Sequence, residues 1–224
     1  MGVKNKMKKG NIILGGGGDF DISFKLDEKY FSLLDDGSKI LYIPIALNRT
    51  KIGYEACYDW FSKIISGHSR DKDIDFSMLL ENDQIPDLKE YSSIYLGGGN
   101  TYKLLDYIYR SNMAEKFTNF LNSGGVIYGG SAGAIIFGKD IRTVEEENDK
   151  NYSNFLGLNI FKDKSIICHY EQSFDQKIFI STEKINSPIV ALSEDSGLIL
   201  NQSGKIIEIV GNVYVFEGGI KKQI

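Results

Sequence analysis

Five apolar runs constrain this chain more than any other feature of its sequence: NIIL (11–14), KILYIPIAL (39–47), SSIYL (92–96), GVIY (125–128) and SIIC (165–168). None alternates apolar with polar residues, so each reads as a strand covered on both faces, the habit of a parallel sheet sandwiched between helices. Amphipathic stretches separate them, at Tyr54–Ile65, Thr101–Tyr109 and Met113–Asn122. Strand and helix patterns in alternation predict an α/β chain: a three-layer open, mostly parallel sheet with helices on both faces. After residue 188 the pattern changes. IVALSE (189–194), GLIL (197–200), KIIEIV (205–210) and VYVF (213–216) are short strands between turn signals, expected to form hairpins or an antiparallel edge to the same sheet. A length of 224 residues suits one domain, assigned to 11–224, behind a basic, flexible tail at 1–10.

The bulk properties exclude several classes of function. Net charge is −4, which leaves no basic face for nucleic acid. No apolar run approaches the ~20 residues of a membrane-spanning helix, and the N-terminal MGVKNKMKKG lacks the apolar segment of a signal peptide. Cys57 and Cys168 make no disulfide or metal-ligand framework, and two histidines are too few for a histidine-rich metal site. The expectation is a cytoplasmic protein with reduced thiols, no metal and no cofactor.

The chemistry is concentrated in GGVIYGGSAGAIIFG (124–138). A strand runs into Gly129-Gly130-Ser131-Ala132-Gly133, and an apolar helical stretch follows: G-x-S-x-G in the strand–turn–helix setting that gives the motif meaning. The sharp turn lifts the serine from the carboxyl end of the sheet, and small neighbours tolerate the backbone angles it requires. The free N–H of Ala132 at the start of the helix then faces the site as an oxyanion donor. The alternative is a glycine-rich turn whose serine only caps a helix.

A second loop, Gly97-Gly98-Gly99-Asn100-Thr101, also joins a strand end to a helix. Loops at the carboxyl ends of neighbouring strands share one crevice in such sheets, so Gly98 or Gly99 is expected to supply a second oxyanion N–H, with Asn100 as a further substrate-binding residue. The spacing matches neither a Walker A loop nor G-x-G-x-x-G. The cluster Gly15–Gly18 reads as a plain βα turn.

Ser131 needs a base. His68 lies in SGHSRDKD, read as a solvated polar loop, whereas His169 ends the buried strand SIIC. His169 is therefore the expected base, and strand alternation turns Cys168 away into the core. The acid that orients the imidazole stays open among Glu145, Glu146, Glu147, Asp149 and Glu171.

YLGGGNTYKLL (95–105), GGVIYGGSAGA (124–134), IRT (141–143) and HY (169–170), in this order, resemble the serine peptidases of the dipeptidase E and cyanophycinase type. The resemblance spans Leu41 to Val215. It implies the fold of class I glutamine amidotransferases with serine in place of cysteine, no metal, and cleavage of short peptides or isopeptides, often at aspartyl residues. It also implies Ser131 as nucleophile, His169 as base, Ala132 and the Gly98-Gly99 loop as oxyanion donors, and, from the acid that follows the IRT-like segment, Glu146 as the third member. One departure is plain. Where the aspartyl dipeptidases carry an arginine-containing insert, this chain has EQSFDQKIF, with Lys177 as its cation.

The leading expectation is thus a serine hydrolase acting on small peptides. A non-catalytic amidotransferase-like module that binds an amino-acid ligand or a protein partner is the alternative, and an α/β-hydrolase esterase, with chain order Ser, Asp/Glu, His, is a third. A homodimer paired through a C-terminal edge strand is the expected assembly.

Overall fold

The computed structural model describes residues 10–47, 53–148 and 151–224. Its main sheet has seven strands in the order β3-β2-β4-β5-β1-β8-β9. β1 (Asn11–Gly15), β2 (Ser38–Ile43), β3 (Ile74–Met78), β4 (Ser93–Leu96) and β5 (Val126–Gly130) are mutually parallel. β8 (Gly197–Asn201) runs antiparallel to β1, and β9 (Ile206–Val210) antiparallel to β8. The two-sided burial read from the apolar runs is realised residue by residue. Ile12 and Leu14 enter one core, with Ile94, Leu96 and Ile127, under α3 (Thr101–Arg110), α4 (Met113–Asn122) and α5 (Ala132–Ile135). Ile13 enters the other, with Tyr42, Tyr95 and Tyr128, under α1 (Phe24–Ser32) and α2 (Tyr54–His68). Each such side chain contributes about 1.5–3 kcal/mol by leaving water, so the pattern fixes which face of every strand meets which helix.

The C-terminal third divides in a way the sequence reading did not anticipate. Only β8 and β9 form the antiparallel edge of the main sheet. SIIC does not join the parallel sheet at all. Its strand β6 (Ser165–Ile167) pairs with β7 (Ile189–Leu192) in parallel, and with β10 (Val213–Glu217) and β11 (Ile220–Gln223) builds a second sheet in the order β11-β10-β7-β6. The reason is spatial. The place beside β1 is taken by β8, and β6 and β7 find their apolar partner in α6 (Asp175–Ile185), where Ile178 and Ile185 meet Ile189, Ala191 and Phe216.

Other differences are local. α4 has the bounds read from the sequence, and α2 runs three residues further than Ile65. His68 is therefore the last residue of α2, buried at 4% exposure and stacked on Phe31, not a solvated loop residue. Gly10, assigned to the tail, is buried against Leu121; residues 1–9 lie outside the described residues. No helix among the described residues is long and apolar enough to cross a membrane.

Candidate active site

Ser131 stands between β5 and α5 with φ 51° and ψ −115°, a backbone an L-residue adopts only when its surroundings impose it. They do so through hydrogen bonds. The Ser131 N–H donates to the Gly15 carbonyl on β1, and the Ser131 carbonyl accepts from Ala134 and Ile135. Two contacts explain the small residues around it. A Cβ on Gly129 would meet the Gly133 carbonyl at 2.2 Å, and one on Gly133 the Leu96 carbonyl at 2.4 Å.

His169 follows β6 with φ 53°, its N–H bonded to the Gly16 carbonyl at 3.0 Å. Its Nε2 lies 2.9 Å from Ser131 Oγ. The Cys168 side chain points the other way, as alternation predicts, and desolvation in the core pushes its thiol well above the ordinary range.

The second imidazole nitrogen, Nδ1, lies 2.8 Å from Oε1 of Glu194, which is none of the five acids that the sequence suggests. Glu146 makes no hydrogen bond to the imidazole, although its charge acts on His169 through space. Its carboxylate accepts from the Thr101 N–H at 2.5 Å and the Thr101 hydroxyl at 3.0 Å, at the start of α3. Burial raises its pKa, and the two Thr101 bonds and the neighbouring His169 oppose that shift. Glu145 pairs with Lys177, and Glu171 accepts from the Ser173 hydroxyl. Asp149 lies outside the described residues.

Parallel pairing explains Glu194. β6 and β7 end side by side, and His169 and Glu194 each stand two residues past their strand's end. The Tyr170 N–H donates to the Leu192 carbonyl, which joins the two ends, and the Gly18 N–H donates to the Glu194 carbonyl, which ties the β7 end to the β1 loop. The signal the sequence carries for it is an acid at the end of the buried run IVALSE (189–194), farther along the chain from His169 than the other acids.

The loop after β1 is also more than a turn. Gly17 has φ +102°, and a Cβ there would lie 2.5 Å from His169 Cε1 and 2.9 Å from Ser131 Cβ. Only glycine lets the backbone pass between those two side chains.

On the other side of Ser131 lies the GGGN loop. A Cβ on Gly98 would be 3.1 Å from Ser131 Cβ and 3.7 Å from Oγ, so the Gly98 backbone faces the hydroxyl. Among the described residues the N–H groups of Gly98 and Ala132 have no hydrogen-bond acceptor. Gly99, at φ +132°, packs against the Ala46 carbonyl. Asn100 does not face the site: its Oδ1 caps α3 by accepting from Lys103 N–H, and its Nδ2 donates to the Glu147 carbonyl. Among the described residues no cluster of three His, Cys, Asp or Glu side chains could hold a metal ion.

The model for Peptidase family S51 matches residues 11–208. Among curated relatives, the peptidase E of Shewanella denitrificans is 24% identical over 199 residues, covering 83% of this chain and 81% of its own length. The peptidase E of Shewanella oneidensis is 26% identical over 200 residues, covering 83% and 80%. The crystal structure of a peptidase from an acI-B1 Actinobacterium superimposes with a TM-score of 0.70 at 19% identity, over 97% of this chain and 95% of that one, and so shares its fold. With a family match that extends from the first strand to the last strand of the main sheet, the chain belongs to peptidase family S51.

Proposed function

We propose that this peptidase is of the serine type and cleaves short peptides or isopeptides through an acyl-enzyme on Ser131. The observation that carries this reading is the unbroken line from Ser131 Oγ to His169 Nε2 (2.9 Å) and from His169 Nδ1 to Glu194 Oε1 (2.8 Å). His169 Nε2 takes the hydroxyl proton as Oγ attacks the substrate carbonyl carbon. The oxygen that becomes negative is held by the N–H groups of Gly98 and Ala132. Collapse of the tetrahedral intermediate breaks the C–N bond, and the proton on Nε2 passes to the departing amine. Water, deprotonated by the same nitrogen, then attacks the ester carbonyl, and Ser131 regains its proton. Glu194 accepts a hydrogen bond from Nδ1–H throughout, which fixes the tautomer that leaves Nε2 free to act as a base.

The site favours this over the non-catalytic alternative, because a carboxylate in contact with the imidazole completes a nucleophile–base–acid line that a binding module does not need. The chain order Ser131, His169, Glu194 also differs from the Ser, acid, His order of α/β-hydrolases. Two free cysteines suit a reducing compartment, and the cytoplasm is the proposed location.

A fluorophosphonate probe should label the protein at Ser131, and a dipeptide library should yield at least one substrate. Ser131→Ala should lose both signals while its far-UV circular dichroism stays that of the unsubstituted chain. Equal turnover by Ser131→Ala would discard the mechanism.

A further inference from the structure

A cavity of about 380 Å³ opens beside the nucleophile, within the ~300–1,000 Å³ span of small-ligand pockets. Ser131, Gly98 and the Gly17-Gly18 backbone line one side of it, and Tyr42, Tyr95, Trp60 and Cys57 form the facing wall. The three aromatic rings brace one another: Tyr42 and Tyr95 meet edge to face at 5.7 Å, and Trp60 stands 6.1 Å from Tyr42 and 6.2 Å from Tyr95. Burial holds the Tyr42 and Tyr95 hydroxyls far above their ordinary pKa, and so neutral. No described residue that lines the cavity carries a charge. Lys103, which reaches the rim through the Leu47 carbonyl, is held by that bond and by Glu81 at 3.2 Å.

The position of the cavity decides which part of a substrate enters it. β5 carries Ser131 between β4 and β1. His169 and Glu194 approach from the β1 side, through the Gly16 and Gly18 backbone. The aromatic wall lies on the opposite side, on β2, β4 and α2. His169 protonates the leaving amine, so that amine departs toward β1. With the carbonyl oxygen held at Gly98 and Ala132, the remaining substituent, the Cα of the acyl residue, lies toward β4 and carries its side chain into the cavity.

We propose that this cavity binds the side chain of the acyl residue and selects an uncharged aromatic or aliphatic group, as in phenylalanyl or leucyl peptides, over an aspartyl one. The proposal rests on the serine-peptidase reading above. A carboxylate placed here would lose its water and gain no described cation, a desolvation penalty that no apolar side chain bears. A phenyl or isobutyl group gains both the apolar burial and the ring contacts.

The test uses diphenyl aminoalkylphosphonates that carry the side chain of Phe, Leu, Ala or Asp. In each, Ser131 Oγ bonds to phosphorus and one phenol leaves, so the labelling rate reads the acyl pocket without full turnover. The unsubstituted protein should label at least tenfold faster with the Phe or Leu reagent than with the Asp reagent. Ala56→Arg, which brings a cation to the wall from exposed ground on α2, should lower the Phe-to-Asp rate ratio at least tenfold. An Asp reagent that matches or beats Phe in the unsubstituted protein overturns the proposal while leaving Ser131 established as nucleophile. Labelling by a fluorophosphonate but by none of the four reagents also overturns it. If no reagent of either kind labels Ser131, the serine-peptidase reading falls and the proposal with it.

Discussion

His169 Nδ1 and Glu194 Oε1 meet at 2.8 Å although 25 residues separate them, because each stands two positions beyond the end of one of two adjacent parallel strands. The pairing of Ile167 with Ala191 sets the register that brings imidazole and carboxylate together. A one-residue slip would turn one of the two away. Glu194→Gln should therefore lower kcat/KM by about 10²–10⁴-fold, since an amide can present the wrong partner to Nδ1 and stabilises no imidazolium. The half-exposed setting of Glu194 argues for the lower part of that range. KM should change little, and the lost activity should reside in kcat. Glu146→Gln is the matched comparison. It should cost less than tenfold in kcat/KM but lower stability by about 1 kcal/mol, because the Thr101 N–H loses a charged acceptor. Steady-state kinetics and chemical denaturation of the two variants separate the roles. A larger kinetic loss in Glu146→Gln would reverse the assignment.

The elbow at Ser131 predicts a conflict between stability and activity. With φ at 51° and ψ at −115°, any residue with a Cβ pays for this backbone, and glycine does not. Ser131→Gly should be more stable than Ser131→Ala by about 1 kcal/mol, with both devoid of turnover. Urea denaturation of the pair measures the difference. Equal midpoints would mean that the strain is absorbed elsewhere.

Gly17 carries a steric prediction. A methyl group there would sit 2.5 Å from the His169 ring and 2.9 Å from Ser131 Cβ, so Gly17→Ala must displace one of them. Its φ of +102° adds backbone strain. The variant should lose at least 10²-fold in kcat and in fluorophosphonate labelling of Ser131. Activity within threefold of the unsubstituted protein would show that the loop can move aside.

The layers of the main sheet could be read from the chain because two-sided burial leaves an unmistakable mark, as in SSIYL and GVIY. The elbow could be read because G-x-S-x-G sat between a strand and a helix. What escaped were relationships that depend on which strands become neighbours. SIIC looks like any buried strand, and nothing local says that its partner is β7 rather than β1. That one ambiguity concealed Glu194, whose link to His169 is made by the β6–β7 pairing. Asn100 misled for the opposite reason. Its place in the GGGN loop suggested a ligand contact, while its amide serves the helix that follows. Gly17 looked like ordinary turn punctuation because the side chains that forbid a Cβ there arrive from β5 and β6.

Behind the site, Asp27 and His68 form a buried pair whose titrations oppose each other. Their side chains are almost wholly enclosed, with Asp27 Oδ2 3.9 Å from His68 Nε2. Asp27 faces Ser23, Tyr30, Tyr95 and Tyr128; His68 lies among the rings of Phe20, Phe24 and Phe31, with Glu28 and Arg70 beyond. Burial pushes the Asp27 carboxyl from 3.8 up to about 6, against the Ser23 hydroxyl that donates to it. The folded state thus binds this proton more tightly than the unfolded one, so this contribution to stability is present below pH ~4 and is lost as pH rises through ~6. Burial lowers the His68 pKa from 6.5. The unfolded state then binds that proton more tightly, so stability is lost as pH falls below ~6.5. The two slopes partly cancel in the unsubstituted protein. Asp27→Asn should remove the first and leave a stability that rises with pH up to ~6.5. It should also stabilise the protein at pH 8 by about 1–3 kcal/mol, the cost of an ionised carboxylate in that place. His68→Phe should leave the reverse slope, with stability that falls between pH ~4 and ~6. Denaturation midpoints of the three proteins at pH 4, 6 and 8 measure both slopes, and parallel profiles for all three would refute the coupling.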